Sequence, residues 1–184
     1  MYNSFLLLVS TLSLLISAEY LPVSKLDLSK YMGRWYQVYK DRLDDTFQGD
    51  ATCAVADYSL LNSNVSVLNS QLDKHGDVAQ ISGYAFYQPG NTGGDLTVRL
   101  DGVPRSAPYW VLNLGPVVNE QYDFSIVSDD KRLSLFVLAR NVSAYYDLYD
   151  DTVQQLLHNY GFSSVYNKPV QMDQVNCDYT RYTE

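Results

Sequence analysis

The feature that most constrains the fold is an alternation of apolar and polar residues that runs from Gly33 to Ala139. A period of two residues is typical of β-strands that bury one face. Short turn-rich segments interrupt the alternation. We therefore predict eight strands, at residues 34–40, 52–61, 64–72, 78–87, 96–100, 108–114, 121–127 and 133–139.

The short connections indicate that neighbouring strands pair as antiparallel hairpins. Eight such strands can close into an up-and-down barrel that has no exposed edge and can hold one small ligand. A two-sheet sandwich with a packed core fits the same periodicity, as does a barrel filled by its own side chains. The first connection, residues 41–50, is longer and acidic, which is typical of a loop at a barrel mouth.

Near residue 149 the apolar period becomes helical. The apolar stripe consists of Tyr149, Val153, Leu156, Leu157 and Tyr160. Gly161 is well placed to end the helix. The predicted fold is therefore all-β, an eight-stranded antiparallel up-and-down barrel with one C-terminal α-helix packed on the outside.

The N-terminus carries an apolar run, residues 5–16, followed by the small residues Ser17 and Ala18. The run is too short to span a bilayer, which takes ~20 residues. We interpret residues 1–18 as a secretory signal peptide and residues 19–184 as one domain, so we expect a secreted, extracellular protein. The alternative is a buried N-terminal strand or helix.

Cys53 and Cys177 are the two cysteines, an even number that suits an oxidising compartment. Two unpaired buried thiols are the alternative to a bond between them. Asn64 and Asn141 each begin an Asn-x-Ser sequon and are predicted glycosylation sites. A glycan cannot point into a barrel, so a glycosylated Asn64 must face outward. Because the faces alternate along a strand, Val67, three residues further on, then lies on the inner face.

Composition and motifs argue against several functions. Acidic residues outnumber basic ones by 21 to 13, for a net charge of -8, and no run of Lys and Arg occurs. Nucleic acids and anionic lipid surfaces require clustered positive charge. His75 and His158 lack metal-ligand spacing, and no nucleotide-binding loop or nucleophile elbow is present. We predict a binding protein that is not an enzyme and uses no cofactor or metal.

Residues 31–36 read YMGRWY and contain a Gly-x-Trp motif at the start of the first predicted strand. Five further segments carry the same resemblance in the same order: residues 64–72, 83–85, 106–111, 137–141 and 173–177. Over about residues 25–178 the chain resembles the lipocalin family, especially its branch of apolipoprotein D and bacterial lipocalins.

The resemblance implies roles for individual residues. Trp35 would lie at the closed base of the barrel beside Gly33, with Arg140 packed across its ring in a structural role. Cys53 would bond Cys177. The positions implied to line the ligand pocket are Tyr58, Asn69, Leu96, Val98, Leu100, Tyr109 and Phe136. To these we add Val67 and, as an inward polar group that orients the ligand, Tyr39.

The chain departs from the family pattern in three places. The family's Thr-Asp-Tyr motif after strand six is replaced by Asn-Leu-Gly-Pro at residues 113–116, so we expect that part of the base to be rebuilt. The second disulfide of the branch has no cysteines here. The apolar loop before the sixth strand is reduced to residues 101–105, which argues against its insertion into lipid.

The resemblance implies a secreted carrier of a small hydrophobic ligand such as a fatty acid, a retinoid or a steroid. The expected partners are that ligand and, at most transiently, a lipid surface or a receptor, and the expected state is a monomer or weak dimer. Two alternatives are an enzyme of the same fold acting on a lipophilic substrate, and a filled barrel that binds a protein partner through its loops.

Overall fold

A computed structural model of the chain describes residues 19–42, 49–62 and 64–182. The predicted signal peptide lies outside the described residues, as does most of the 41–50 connection. The described strands are β1 (Gly33–Asp41), β2 (Thr52–Leu61), β3 (Asn64–Leu72), β4 (Val78–Tyr87), β5 (Asp95–Leu100), β6 (Ala107–Leu114), β7 (Val117–Val118), β8 (Gln121–Tyr122), β9 (Phe124–Ser128), β10 (Leu135–Ala139) and β11 (Pro169–Gln171). The described helices are α1 (Leu28–Tyr31), α2 (Val142–Leu148) and α3 (Asp150–Asn159), with a 3-10 turn at Tyr179–Arg181.

Strands β1 to β6, β9 and β10 form a closed antiparallel barrel. Each strand pairs with its neighbour along the chain, β6 pairs with β9, and β10 returns to pair with β1. In the closing pair, Tyr36 lies opposite Ala139. This closure confirms the barrel and excludes the two-sheet sandwich.

The seventh predicted strand, residues 121–127, is in fact divided between β8 and β9. Strands β7 and β8 form a separate small hairpin. Its turn residues Asn119 and Glu120 both have positive φ angles, 48° and 67°, as a tight two-residue turn requires. The eighth strand begins at Leu135 rather than at residue 133, because the Asp129 carboxylate accepts the backbone N–H of Leu133 and holds the turn.

The C-terminal helix lies on the outer face of the barrel, as predicted, but it is two helices. Helix α2 begins where the Asn141 side chain accepts the backbone N–H of Ala144. The helical path breaks at Tyr149 (φ -123°) and resumes as α3. Val153 and Leu157 of the predicted stripe are fully buried in an apolar cluster with the outer faces of β1, β6, β9 and β10.

Two short elements were not predicted from the sequence. Strand β11 pairs with the end of β1, with Tyr39 opposite Gln171, beyond the point where β2 pairs with β1. Helix α1 is a single turn capped by Asp27. A disulfide joins Cys53 to Cys177 and ties the C-terminal segment to the outside of β2, which confirms the pairing and rules out two free thiols.

Candidate functional site

The barrel interior contains a cavity of about 130 Å³. It lies in the half of the barrel where β2 begins and β3 ends. The cavity is lined by Gln37, Ala54, Val55, Ala56, Tyr58, Val67, Asn69, Ser70, Gln71, Val98, Leu100, Tyr109, Phe136 and Leu138. Its size is close to that of a ~150 Å³ apolar protein cavity known to accept a benzene-sized molecule. The barrel is therefore hollow in this half and can enclose a compact apolar body.

Tyrosine side chains fill the space below the cavity. The Tyr31 hydroxyl lies 2.8 Å from the Tyr109 hydroxyl and 3.1 Å from the Ser125 hydroxyl. The Tyr58 hydroxyl lies 3.1 Å from that of Tyr109. These contacts join four hydroxyls in one hydrogen-bonded row. Below it remains a void of about 10 Å³, lined in part by Leu96.

Burial keeps this floor uncharged. It raises the pKa of Tyr31 to about 12, partly offset by hydrogen bonds from Ser125 and Tyr109. Burial likewise raises the pKa of Tyr58 and of Tyr109 above the usual value for a phenol. All three hydroxyls stay protonated at neutral pH, so the floor offers hydroxyl groups and no phenolate.

Arg140 closes the base beneath the tyrosines. Its guanidinium carbon lies 3.6 Å from the centre of the Trp35 ring. Its N–H groups donate to backbone carbonyl groups of the entering chain and of β8. The accepting residues are Lys30 (3.3 Å), Tyr31 (3.0 Å), Met32 (2.7 Å), Arg34 (2.6 Å) and Tyr122 (3.3 Å). Burial lowers the pKa of Arg140 to about 10, which leaves it a cation at neutral pH.

Gly33 lies against the Arg140 and Gln121 side chains. Its φ angle is +95°, and a Cβ added there would lie 3.1 Å from Gln121 Nε2 and 3.3 Å from Arg140 Nη1. The Gln121 amide donates to the Met32 carbonyl at 2.9 Å. The β7–β8 hairpin, which follows the altered 113–116 segment, thus supplies base contacts through Gln121 and Tyr122.

Most of the predicted pocket residues do line the cavity. These are Tyr58, Val67, Asn69, Val98, Leu100, Tyr109 and Phe136. Leu96 faces the small void below the floor and not the main cavity.

The prediction that Tyr39 points into the barrel is wrong. Tyr39 lies outside the barrel, where its ring centre is 6.1 Å from that of Tyr146 and 6.3 Å from that of Tyr145. The reason is a register shift between Gln37 and Tyr39 in the β1–β10 pairing. A bulge of this kind interrupts the alternation of faces along a strand. Tyr39 therefore packs under α2 and does not orient a ligand.

Seven lining residues were not among the predicted pocket residues: Gln37, Ala54, Val55, Ala56, Ser70, Gln71 and Leu138. Gln37 is the one whose side chain is buried without a partner among the described residues. Its exposed fraction is 5%, and its side-chain Nε2 has no hydrogen-bond partner among the residues that the structure describes. Counting two residues on from the inward Trp35 would have found it. A buried amide that lacks an acceptor is uncommon in proteins.

The sequon asparagines occupy different settings. Asn64 is half-buried at the start of β3, and Asn141 is exposed at the start of α2. Within the described ranges there is no group of three or more His, Cys, Asp or Glu placed to hold a metal ion. In the same ranges no helix has the length and apolar character needed to cross a membrane.

The chain resembles known proteins in sequence. Residues 26–167 match the lipocalin-like domain family. The chain is 30% identical over 135 residues to the outer membrane lipoprotein Blc of Vibrio cholerae, which covers 72% of this chain and 75% of that protein. It is 40% identical over 87 residues to apolipoprotein D of Cavia porcellus, which covers 47% of this chain and 44% of that protein. The match thus spans less than half the length of apolipoprotein D.

Solved structures share the fold. Insecticyanin from the tobacco hornworm Manduca sexta superimposes with a TM-score of 0.62 at 18% identity, over 84% of each chain. Japanin from Rhipicephalus appendiculatus, solved with bound cholesterol, gives a TM-score of 0.55 at 12% identity, over 82% of this chain and 98% of that one. Together with the closed barrel and the Trp35–Arg140 base, these matches establish that the chain belongs to the lipocalin family, on the branch of apolipoprotein D and bacterial Blc.

Proposed function

We propose that this protein is a secreted carrier that binds one small hydrophobic molecule in its barrel cavity and shields it from water. The supporting observation is the cavity of about 130 Å³, whose lining is mostly aliphatic and aromatic. Apolar burial is worth ~25 cal/mol per Å², so a ligand that loses roughly 200 Å² of exposed surface gains about 5 kcal/mol before association costs. That gain is enough for reversible binding with no covalent step.

In this proposal the ligand contacts the predicted pocket residues that line the cavity, while Gly33, Trp35 and Arg140 keep the base closed. The described lining contains hydroxyl and amide groups that can orient a ligand. We assign the site to binding and release of an unchanged molecule.

Secretion is supported by the disulfide, because such bonds persist in oxidising compartments. The test is to express the full chain in a eukaryotic secretory host and to measure the mass of the protein in the medium. A chain that begins at residue 19 is expected. Glycans on Asn64 and Asn141 would add mass that an endoglycosidase removes. Retention of the full-length chain inside the cells would contradict this part of the proposal.

Binding is tested by isothermal titration calorimetry with ethylbenzene, a neutral apolar molecule whose size suits the cavity. Val98 lines the cavity, whereas Arg99 beside it on β5 is exposed. Val98→Trp fills the cavity and should weaken binding at least tenfold, and Val67→Phe should act in the same direction. The matched control, Arg99→Trp, should bind as the wild type does. Equal binding by all four proteins would show that the barrel is not the site.

A further inference from the structure

The described lining of the cavity contains no Asp, Glu, Lys, Arg or His side chain. The buried cations close to it have other partners. The Arg140 guanidinium lies beneath the floor, against Trp35 and backbone carbonyls. The Lys40 ammonium donates to the Gly49 carbonyl at 2.9 Å, and Lys40 is not among the lining residues. A carboxylate drawn into the cavity would therefore lose its hydration without gaining a cation.

The hydroxyl groups of the floor largely satisfy one another. Tyr58, Tyr109, Tyr31 and Ser125 form a continuous row of contacts of 2.8 to 3.1 Å. These three contacts use three of the four O–H donors, so at most one donor is left for a ligand. The hydroxyls of the row are also neutral, so they neither attract nor repel a charged ligand strongly.

The Gln37 amide differs from the floor. Gln37 lines the cavity, its exposed fraction is 5%, and its Nε2 makes no hydrogen bond to any described part of the chain. Its backbone is held in place, because the Gln37 carbonyl accepts the Gln174 amide at 2.7 Å and β1 is paired with β10. An N–H donor that is buried without an acceptor destabilises the protein, and an oxygen acceptor on a ligand would relieve that cost.

From these observations we propose the ligand class of the carrier site. The cavity selects an uncharged lipophile with one hydrogen-bond-accepting oxygen, a carbonyl or a hydroxyl, which accepts the Gln37 side-chain N–H. It discriminates against the carboxylate of the same carbon skeleton. This inference rests on the proposed carrier function. It narrows the ligand class from hydrophobic molecules in general to uncharged molecules with one acceptor oxygen.

The test compares four compounds that each contain one benzene ring and eight carbon atoms, a size that suits the cavity. They are ethylbenzene, acetophenone, 1-phenylethanol and phenylacetate. Isothermal titration calorimetry measures the affinity of each compound for the full disulfide-bonded protein at pH 7.5, where phenylacetate is ionised. We expect acetophenone and 1-phenylethanol to bind at least tenfold more tightly than phenylacetate. Phenylacetate binding as tightly as acetophenone would overturn the proposal.

Gln37→Met tests the role of the amide with a side chain of similar shape. It should weaken acetophenone and 1-phenylethanol binding at least fivefold and leave ethylbenzene within twofold. Gln88→Met is the matched control, because Gln88 is exposed and is not among the lining residues of the cavity. It should leave all four affinities within twofold.

The outcomes separate the inference from the carrier function. If ethylbenzene binds and Gln37→Met does not change acetophenone binding, the ligand class is wrong and the carrier function stands. The same conclusion follows if Gln88→Met weakens acetophenone binding as much as Gln37→Met does. If none of the four compounds binds, both proposals fail. Urea unfolding of each variant shows that the compared proteins are folded.

Discussion

The guanidinium carbon of Arg140 lies 3.6 Å from the ring centre of Trp35, and the two side chains close one end of the barrel. Trp35 is fully buried, and its indole N–H donates to the Tyr31 carbonyl at 2.8 Å. Arg140 adds donations to five backbone carbonyls of other segments. One cation thus joins the end of β10, the start of β1 and the chain that enters it.

Arg140→Lys should destabilise the protein by about 3 kcal/mol, because a lysine cannot reproduce the planar fork of donors or the stacking on Trp35. The measurement is the free energy of unfolding in urea. The control is Arg105→Lys at an exposed loop position, which should change stability by no more than about 0.5 kcal/mol. A similar small effect at both positions would show that the contacts of Arg140 contribute little to the free energy of unfolding.

Gly33→Ala and Gly76→Ala separate backbone strain from crowding. Both glycines have positive φ angles, +95° and +79°, but a Cβ at Gly76 would meet nothing within 4 Å. We expect Gly76→Ala to cost about 1 kcal/mol of stability and Gly33→Ala about 2–3 kcal/mol, since its methyl group also crowds Arg140 and Gln121. Equal losses in urea unfolding would mean that the base accommodates the methyl group freely.

Removing the disulfide should lower stability substantially. Cys53 and Cys177 are 124 residues apart, and the loop-entropy treatment gives about 4–5 kcal/mol for closing a loop of that length. The double variant Cys53→Ala with Cys177→Ala should show this loss in urea unfolding. Dithiothreitol should lower the wild-type midpoint in the same direction and leave that of the double variant unchanged. A double variant that unfolds at the same urea concentration as the oxidised wild type would contradict the prediction.

Alkaline pH should unfold the barrel through its buried tyrosines. The pKa of Tyr31 is raised by burial to about 12 from an ordinary value near 10. Above pH 10 the unfolded state therefore loses this proton while the folded state keeps it. The stabilising contribution is complete below pH 10 and is lost as pH rises to about 12, at up to ~1.4 kcal/mol per pH unit for each such group.

The measurement is urea unfolding at several values between pH 9 and 12, together with phenolate absorbance. Tyr31→Phe should make the unfolding free energy fall less steeply with pH, by the ~1.4 kcal/mol per pH unit that corresponds to one proton. Tyr166→Phe, at a position whose side chain is 73% exposed, should leave the slope unchanged. The idea fails if the slope is the same in the wild type and in Tyr31→Phe.

The alternation of residues was sufficient to predict the barrel strands, because each strand presents one face to the interior and the other to solvent or to the helices. It placed Val67 on the inner face with the help of the Asn64 sequon. Val98 and Phe136 came from the family resemblance, because alternation alone does not say which face of a strand points inward. The stripe on α3 was equally clear, because Val153 and Leu157 must both face the sheet.

The failures have local causes. Tyr39 was misplaced because the bulge after Gln37 shifts the register, and no turn residue marks that bulge in the sequence. Strand β11 has three residues and helix α1 has four, too few to show a period. The state of the Gln37 amide depends on what approaches it from other strands, which a single strand pattern does not contain.

The sealed base has a kinetic consequence. Because Arg140, Trp35 and the β7–β8 hairpin occupy one end, the proposed carrier would load and release its cargo at the other end. An incoming molecule cannot push the previous occupant out through the far side. Exchange of one cargo for another should then proceed at the rate of spontaneous dissociation, whatever the concentration of the competitor.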